Sequence, residues 1–132
     1  MARVLVVEDD HAIREVLMLV LDAEGYDVLS ATNGLQALGE VRHSRPDLIL
    51  LDLMMPVMDG ETFLAACRIC PDCREAPIIV MSAARNLAQR APALRSQGVR
   101  AYLAKPFDLD VLIALVESYA PLARRSEPPP LG

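Results

Sequence analysis

Acidic, hydroxyl and amine side chains follow four of the five short apolar runs in this sequence. The first run precedes Glu8 and Asp9, the third precedes Asp52, the fourth precedes Ser82, and the fifth precedes Lys105. Carboxylates held close together repel one another, and a hard divalent cation with oxygen ligands relieves that repulsion. Mg²⁺ binds through one or two carboxylates plus water and phosphate oxygens, and a lysine ammonium binds phosphate as a point charge. These residue types together predict a site for Mg²⁺ and a phosphoryl group.

Lys105 is the only lysine in the chain, and all the other basic side chains, histidine apart, are arginine. A compact ammonium on a flexible stem does a different job from a planar guanidinium. Taken singly, an acid after a strand is usually a turn residue or a helix cap, the interpretation we prefer for Asp10. A single Ser or Lys is usually solvated. The functional interpretation therefore depends on four strand ends that carry complementary groups.

The elements that must position these side chains alternate along the chain. Apolar runs predict strands at 3–7, 26–30, 47–51, 77–81 and 100–104. Apolar residues spaced by three and four predict helices at 12–24, 34–43, 61–70, 84–97 and 108–119. Pro92 predicts that the fourth helix begins late, bends or is short. The pattern is typical of a doubly wound α/β fold, a (βα)5 three-layer sandwich whose parallel strands end at one ligand-binding edge.

Composition favours one domain with an aliphatic core. The chain has 132 residues, of which 53% are hydrophobic and 4% aromatic. A net charge of −5 argues against general nucleic-acid binding, and no apolar run is long enough to span a bilayer. We therefore expect a cytoplasmic protein with no membrane association, whose three cysteines are reduced thiols. Residues 121–132 are rich in proline and are predicted to be a disordered tail or the start of a linker.

Four motifs carry a resemblance to a known family. The segments "VLVVEDD", "DLILLDLMMPVMDG", "IIVMSA" and "YLAKPF" occur in this order and spacing. They closely resemble the receiver domain of two-component response regulators, including the chemotaxis regulators. The resemblance runs from about residue 3 to residue 120, so 1–120 is interpreted as the receiver domain. It implies the flavodoxin-like sheet order 2-1-3-4-5.

The resemblance also implies roles for individual residues. Asp52 resembles the phosphoacceptor, which takes a phosphoryl group from a histidine kinase or a phosphotransfer protein. Mg²⁺ would be held by Glu8, Asp9, Asp52 and the backbone carbonyl of Met54. Lys105 and Ser82 would contact the phosphoryl oxygens. Ser82 and Tyr102 resemble the switch pair, and the Lys105–Pro106 peptide is typically cis in this family.

The implied function is signalling, with self-phosphorylation and autodephosphorylation as the only reactions. The face formed by the fourth helix, fifth strand and fifth helix would control an output partner or a C-terminal effector domain. The resemblance is compatible with a monomer or a phosphorylation-dependent homodimer. The segment 98–102 lacks the two acids that the DNA-binding branch often uses in its dimer interface. Stimulus, cognate kinase, output type and phosphoryl lifetime are not predicted.

Other functions fit the sequence less well. Aspartyl phosphatases require a second acid two residues after the strand-end Asp52, where this chain has Met54. A flavodoxin-like cofactor domain would need amide or hydroxyl groups where this chain has acids. The "CRICPDC" array of Cys67, Cys70 and Cys73 could bind a soft metal or act in redox chemistry, but it has no nearby fourth ligand. The acid-free stretch 76–107 is interpreted as a solvated basic surface, with an acidic partner as the alternative.

Overall fold

The computed structural model describes residues 2–55, 58–70, 76–83 and 87–121. Its strands are β1 (Arg3–Val7), β2 (Asp27–Ala31), β3 (Leu48–Asp52), β4 (Ile78–Ser82) and β5 (Val99–Ala104). Its helices are α1 (His11–Ala23), α2 (Gly34–Ser44), α3 (Gly60–Ile69), α4 (Leu87–Ser96) and α5 (Leu109–Tyr119). Among these described residues, no helix combines the length and the apolar character needed to cross a membrane.

The five strands form one parallel sheet in the order β2-β1-β3-β4-β5. This confirms the predicted fold class and strand order. Strands β3 and β4 are buried along their whole length, whereas the edge strand β2 is half-buried and β5 alternates between exposed and less exposed residues. Burial on both faces explains why the central strands are continuous apolar runs. The strand ends differ slightly from the sequence prediction, so Asp52 and Ser82 are the last residues of their strands.

Two apolar cores cover the two faces of the sheet. Alternate residues of β1 point to opposite faces, with Leu5 and Val7 in one core and Val4 and Val6 in the other. Helices α2, α3 and α4 pack on the first face, and α1 and α5 pack on the second. The hydroxyl of Tyr26 donates a hydrogen bond of 3.0 Å to the carbonyl of Ala120. The predicted three-layer arrangement is therefore present.

Helix ends follow local sequence signals. Asp10 caps α1 by accepting a hydrogen bond of 3.1 Å from the Ile13 N–H, as predicted, and Gly25 follows that helix with a φ of 101°. Asp108 caps α5 in the same manner. Helix α4 continues through Pro92 to Ser96, although proline cannot donate the usual backbone hydrogen bond.

The cysteines depart from the sequence prediction. Cys67, on the buried face of α3, is disulfide-bonded, whereas Cys70 is a buried free thiol. The expectation of three reduced thiols is therefore wrong for Cys67. That expectation was inferred from the cellular compartment, which constrains redox conditions but carries no information on the distance between side chains. Cys73 lies outside the described residues.

Two glycines of the helices give a matched test of the packing around β3. A Cβ atom on Gly60 would lie 2.6 Å from Leu53 Cα and 2.8 Å from the Asp52 carbonyl oxygen, whereas a Cβ on Gly39 would meet nothing within 4 Å. We expect Gly60→Ala to lower the free energy of unfolding by on the order of 1–3 kcal/mol because backbone must move. Gly39→Ala should raise it by about 0.5–1 kcal/mol because alanine favours the helix. Urea unfolding followed by circular dichroism measures both, and equal effects of one sign would contradict this packing.

Candidate functional site

The sheet register brings the predicted site residues together at one edge. In the pairing of β1 with β3, Val7 lies opposite Leu51, so the next residues, Glu8 and Asp52, are neighbours. Ser82 ends β4, the strand on the other side of β3. All three side chains are buried. The prediction that these groups meet at one edge of a parallel sheet is confirmed.

Lys105 enters the same edge from the turn after β5. Its backbone N–H donates a hydrogen bond of 2.8 Å to the Ser82 carbonyl, and the Lys105–Pro106 peptide is cis. The ammonium forms an ion pair with the carboxylate of Glu8 and lies 3.5 Å from Oδ2 of Asp52. The approach to Asp52 was predicted from the sequence. The ion pair with Glu8 was not, and it makes Lys105 a bridge between two carboxylates.

Burial sets the electrostatics of this cluster. Glu8 is fully buried, and desolvation raises its pKa from 4.5 to about 7, with Asp52 adding to the rise and Lys105 opposing it. Burial by itself lowers the pKa of Lys105. The hydrogen bond to Glu8 and the charge of Asp52 outweigh that effect, and the pKa of the ammonium is raised. Lys105 therefore stays charged, while Glu8 is close to half-protonated at neutral pH.

Three carboxylates are placed to bind one cation. Oxygen atoms of Glu8, Asp9 and Asp52 all lie within 4.8 Å of one another, and Asp9 is exposed whereas the other two are buried. The Met54 N–H donates a hydrogen bond of 3.1 Å to Oδ1 of Asp52, which fixes that carboxylate. Hard oxygen donors with one side open to solvent suit Mg²⁺ rather than metals that prefer sulfur or nitrogen. The donor set therefore fits the predicted ion.

Two concave surfaces flank the acids. One cavity of about 490 Å³ lies on the α3–α4 side, where Arg90 forms an ion pair with Glu61; it is lined by Asp9, Leu53, Met54, Met55, Asp59, Glu61 and Arg90. The other is an apolar groove of about 550 Å³ on the α1–α5 side. It is lined by Ala12, Ile13, Val16, Leu17, Ala83, Lys105, Pro106, Phe107 and Leu109. Lys105 thus has the acid cluster on one side and apolar surface on the other.

Tyr102 lies outside the acid cluster. It occupies β5 opposite Val80 of β4, and 36% of its surface is exposed. Lys105 lies three positions later in the same segment. The structure therefore connects Tyr102 to the site through the backbone of β5, and its predicted switch role stays a prediction.

Sequence reasoning missed one residue that contacts the acidic turn. Arg14, in the first turns of α1, donates a hydrogen bond of 2.9 Å to the Glu8 carbonyl and a longer one of 3.4 Å to the Asp9 carbonyl. The sequence contains a signal for this contact. Arg14 lies four residues after the predicted cap Asp10, so it is one helical turn from the acidic segment. Arg14 lies on a helix, whereas the pattern of strand ends points only to residues that follow strands.

The chain matches a known family over most of its length. The model of the response regulator receiver domain matches residues 4–117. Response regulator MprA of Mycobacterium sp. strain KMS is 39% identical over 126 residues, which is 96% of this chain and 52% of the relative. MprA of Mycobacterium leprae is also 39% identical, over 53% of its length. The chain thus spans about half the length of these curated relatives.

Solved structures share both the fold and the sequence pattern. The chemotaxis response regulator CheY4 of Vibrio cholerae is 30% identical with a TM-score of 0.82, over 90% of this chain and 98% of that one. The receiver domain of sensor histidine kinase PA1611 of Pseudomonas aeruginosa is 30% identical with a TM-score of 0.79, over 89% and 96%. In that structure a magnesium ion is coordinated in the active-site cleft. From the acid cluster, the strand order and these matches, the chain belongs to the response regulator receiver domain family.

Proposed function

We propose that Asp52 is the phosphoacceptor of this receiver domain and that a phosphohistidine on a histidine kinase or phosphotransfer protein is the donor. The observation that carries the proposal is the placement of the single lysine between Glu8 and Asp52, beside a third acid that faces solvent. A carboxylate held next to an ammonium is a nucleophile with a charge ready to receive phosphoryl oxygens.

The reaction is an in-line transfer. An oxygen of Asp52 attacks phosphorus, a P–O bond forms, the P–N bond to the donor imidazole breaks, and the histidine nitrogen keeps the electron pair. Met54 and Lys105 hold the two carboxylate oxygens from different sides, since the Met54 N–H donates to Oδ1 and the ammonium lies near Oδ2. The carboxylate is thereby oriented before the donor arrives. Hydrolysis of the acyl phosphate by water would restore Asp52.

Glu8, Asp9 and Asp52, with the backbone carbonyl of Met54, would hold Mg²⁺. When bound, the ion supplies positive charge that neutralises carboxylate and phosphoryl oxygens during transfer. The chain's own contribution is to bring the acids within reach and to keep one of them, Asp9, open to solvent. Glu8 must be ionised to contribute its charge, so its raised pKa makes cation binding sensitive to pH.

Phosphorylation would change the contacts of Lys105 and Ser82. The acyl phosphate carries more negative charge than the carboxylate it replaces, so it draws the ammonium away from Glu8. Ser82 ends β4, which neighbours the strand that ends at Asp52, so its hydroxyl would donate to a phosphoryl oxygen. Since the Lys105 N–H is bonded to the Ser82 carbonyl, movement at either residue displaces the end of β5. Tyr102, on β5, would report this change to the α4–β5–α5 face.

The apolar groove beside Lys105 is proposed as the docking surface for the phosphodonor. Its walls come from α1 and the β5–α5 turn, and 45% of the Val16 surface is exposed there. A donor must dock close to Asp52 for its imidazole to reach the carboxylate. An amphipathic helix that carries the phosphohistidine would place its apolar face in this groove.

The output of the receiver domain is a further part of the proposal. The chain spans about half the length of the MprA relatives, so we propose either an effector domain or a separate output partner. We also propose a cytoplasmic location and a monomer or phosphorylation-dependent homodimer. An acidic partner for the basic surface stays a prediction. Arg95 and Arg100 are exposed, but Arg90 is already paired with Glu61.

Asp52→Asn should abolish phosphorylation by acetyl phosphate in the presence of Mg²⁺. Asp47→Asn is the matched control, because Asp47 lies at the opposite end of β3 and accepts a hydrogen bond from the Arg3 N–H. Intact mass spectrometry should show the phosphoryl mass increase in wild type and Asp47→Asn only. Full labelling of Asp52→Asn would rule out this phosphoacceptor.

The ionisation of Glu8 predicts a pH-dependent stability difference between wild type and Glu8→Gln without metal. Because the folded-state pKa of Glu8 is raised from 4.5 to about 7, folding is penalised as pH rises between these values and fully penalised above the upper one. Unfolding in urea with a chelator present should therefore show Glu8→Gln gaining about 3 kcal/mol relative to wild type across this window.

Saturating Mg²⁺ should reverse that advantage at the upper end of the window, because the cation stabilises wild type with Glu8 ionised. A stability difference that stays constant with pH in the chelator would contradict the raised pKa. Adding Mg²⁺ to Asp47→Asn should reproduce the wild-type stabilisation, since Asp47 lies at the other end of β3.

Val16→Glu should slow phosphotransfer from a kinase by at least an order of magnitude while leaving labelling by acetyl phosphate unchanged. A buried carboxylate in the docked complex would lack a partner, whereas a small donor does not need the groove. Leu35→Glu is the control, because Leu35 is exposed on α2, on the opposite face of the sheet. Equal loss in both variants, or none in Val16→Glu, would contradict the docking site.

A further inference from the structure

Arg14 makes contacts with the acidic turn that the phosphotransfer chemistry does not account for. One guanidinium nitrogen donates to the carbonyls of both Glu8 and Asp9, at 2.9 and 3.4 Å. A second nitrogen lies 3.1 Å from Nδ1 of His11, and the backbone N–H of Arg14 donates to the Asp10 carbonyl at 3.0 Å. Arg14 thus joins α1 to every residue of the turn from Glu8 to His11.

These contacts fall on the main-chain carbonyls of the two acids, so Arg14 occupies neither carboxylate. A hydrogen bond to a carbonyl fixes the orientation of its peptide plane, and that orientation sets the direction of the adjoining side chains. Glu8 is further restrained by the bond from its N–H to the Ala31 carbonyl, at 3.0 Å, and by its ion pair with Lys105. Asp9 is exposed and has fewer restraints, so the bond from Arg14 matters most for its direction.

We propose that Arg14 is a positioning residue that holds the Glu8–Asp9 turn in the conformation able to bind Mg²⁺. The proposal rests on the proposed function, because it assumes that these acids bind the cation. Loss of a group that orients metal ligands typically weakens metal binding by about 10–100-fold. Arg14 would therefore act on the affinity for the ion and leave the nucleophile Asp52 untouched.

The charge of Arg14 gives the test a definite sign. A guanidinium near the site repels Mg²⁺, so removal of its charge alone would tighten cation binding. Removal of its hydrogen bonds would weaken cation binding. Positioning and simple electrostatics therefore predict opposite changes in the dissociation constant for Arg14→Gln. Arg14→Lys keeps the charge but has a single nitrogen, so it cannot contact the two carbonyls and Nδ1 of His11 at once as the two guanidinium nitrogens do.

Isothermal titration calorimetry of metal-free protein with Mg²⁺ measures the dissociation constant of each variant. We expect both Arg14→Gln and Arg14→Lys to raise the dissociation constant by about tenfold. With acetyl phosphate, the Mg²⁺ concentration for half-maximal labelling should rise in parallel, and the rate at saturating Mg²⁺ should stay near the wild-type value. In metal-free protein, the amide resonances of Asp9 and Asp10 should shift in both variants.

Arg3→Gln is the matched control at the other end of β1. Arg3 also joins main chain and acid, through Nε to Asp27 at 3.1 Å and through Nη1 to the Ser44 carbonyl at 2.6 Å. Its loss should affect stability without changing Mg²⁺ affinity. Tighter binding in Arg14→Gln with wild-type binding in Arg14→Lys would overturn the proposal, as would unchanged binding in both. A wild-type chain that binds no Mg²⁺ would instead overturn the proposed function.

Discussion

The site depends on one ammonium shared between two buried carboxylates. Glu8 directly follows β1 and Asp52 ends the neighbouring strand β3, and the Lys105 side chain, from the far side of β4, reaches both. Burying these charges is costly unless they are paired, and one lysine cannot neutralise three acids. The cluster is therefore stable but short of positive charge. This excess of negative charge favours the binding of a cation, either alone or together with a phosphoryl group, because the cation neutralises the carboxylates.

The three acids divide the work according to burial. Glu8 is buried, and its ion pair with Lys105 fixes the position of its carboxylate. Burial raises the pKa of that carboxylate to about 7. Asp52 is also enclosed, with 3% of its surface exposed, and its Oδ2 lies 3.5 Å from the Lys105 ammonium. Asp9 is exposed and reaches the same point in space from the adjacent position. A site with three enclosed acids would be hard to fold, and one with three exposed acids would bind a cation weakly. The mixture of two buried acids and one exposed acid avoids both extremes.

A parallel sheet was predictable because strands buried on both faces are continuous apolar runs, and the carboxyl ends of parallel strands meet at one edge. The strand order 2-1-3-4-5 was implied by the resemblance to the receiver domain. Glu8, Asp9, Asp52, Ser82 and Lys105 could be placed at one edge on those grounds, with motif resemblance adding their roles. The ion pair between Glu8 and Lys105 could not be predicted from the sequence, because it joins residues 97 positions apart and depends on the conformations of both side chains. The contacts of Arg14 could not be predicted for the same reason, because they depend on the orientation of α1 relative to the end of β1. The disulfide of Cys67 was mispredicted because compartment was used in place of distance.

A conformational switch requires a rigid backbone around the reacting group and side chains nearby that can change their partners. Gly60 packs so closely against the Leu53 and Asp52 backbone that the start of α3 supports the end of β3. Lys105 is fixed through its backbone to Ser82, yet its ammonium has two carboxylate partners and can move between them. Under the proposed function, an added phosphoryl charge on Asp52 would act against this fixed backbone. Lys105, Ser82 and the end of β5 would then accommodate the charge, and the response would be directed toward Tyr102.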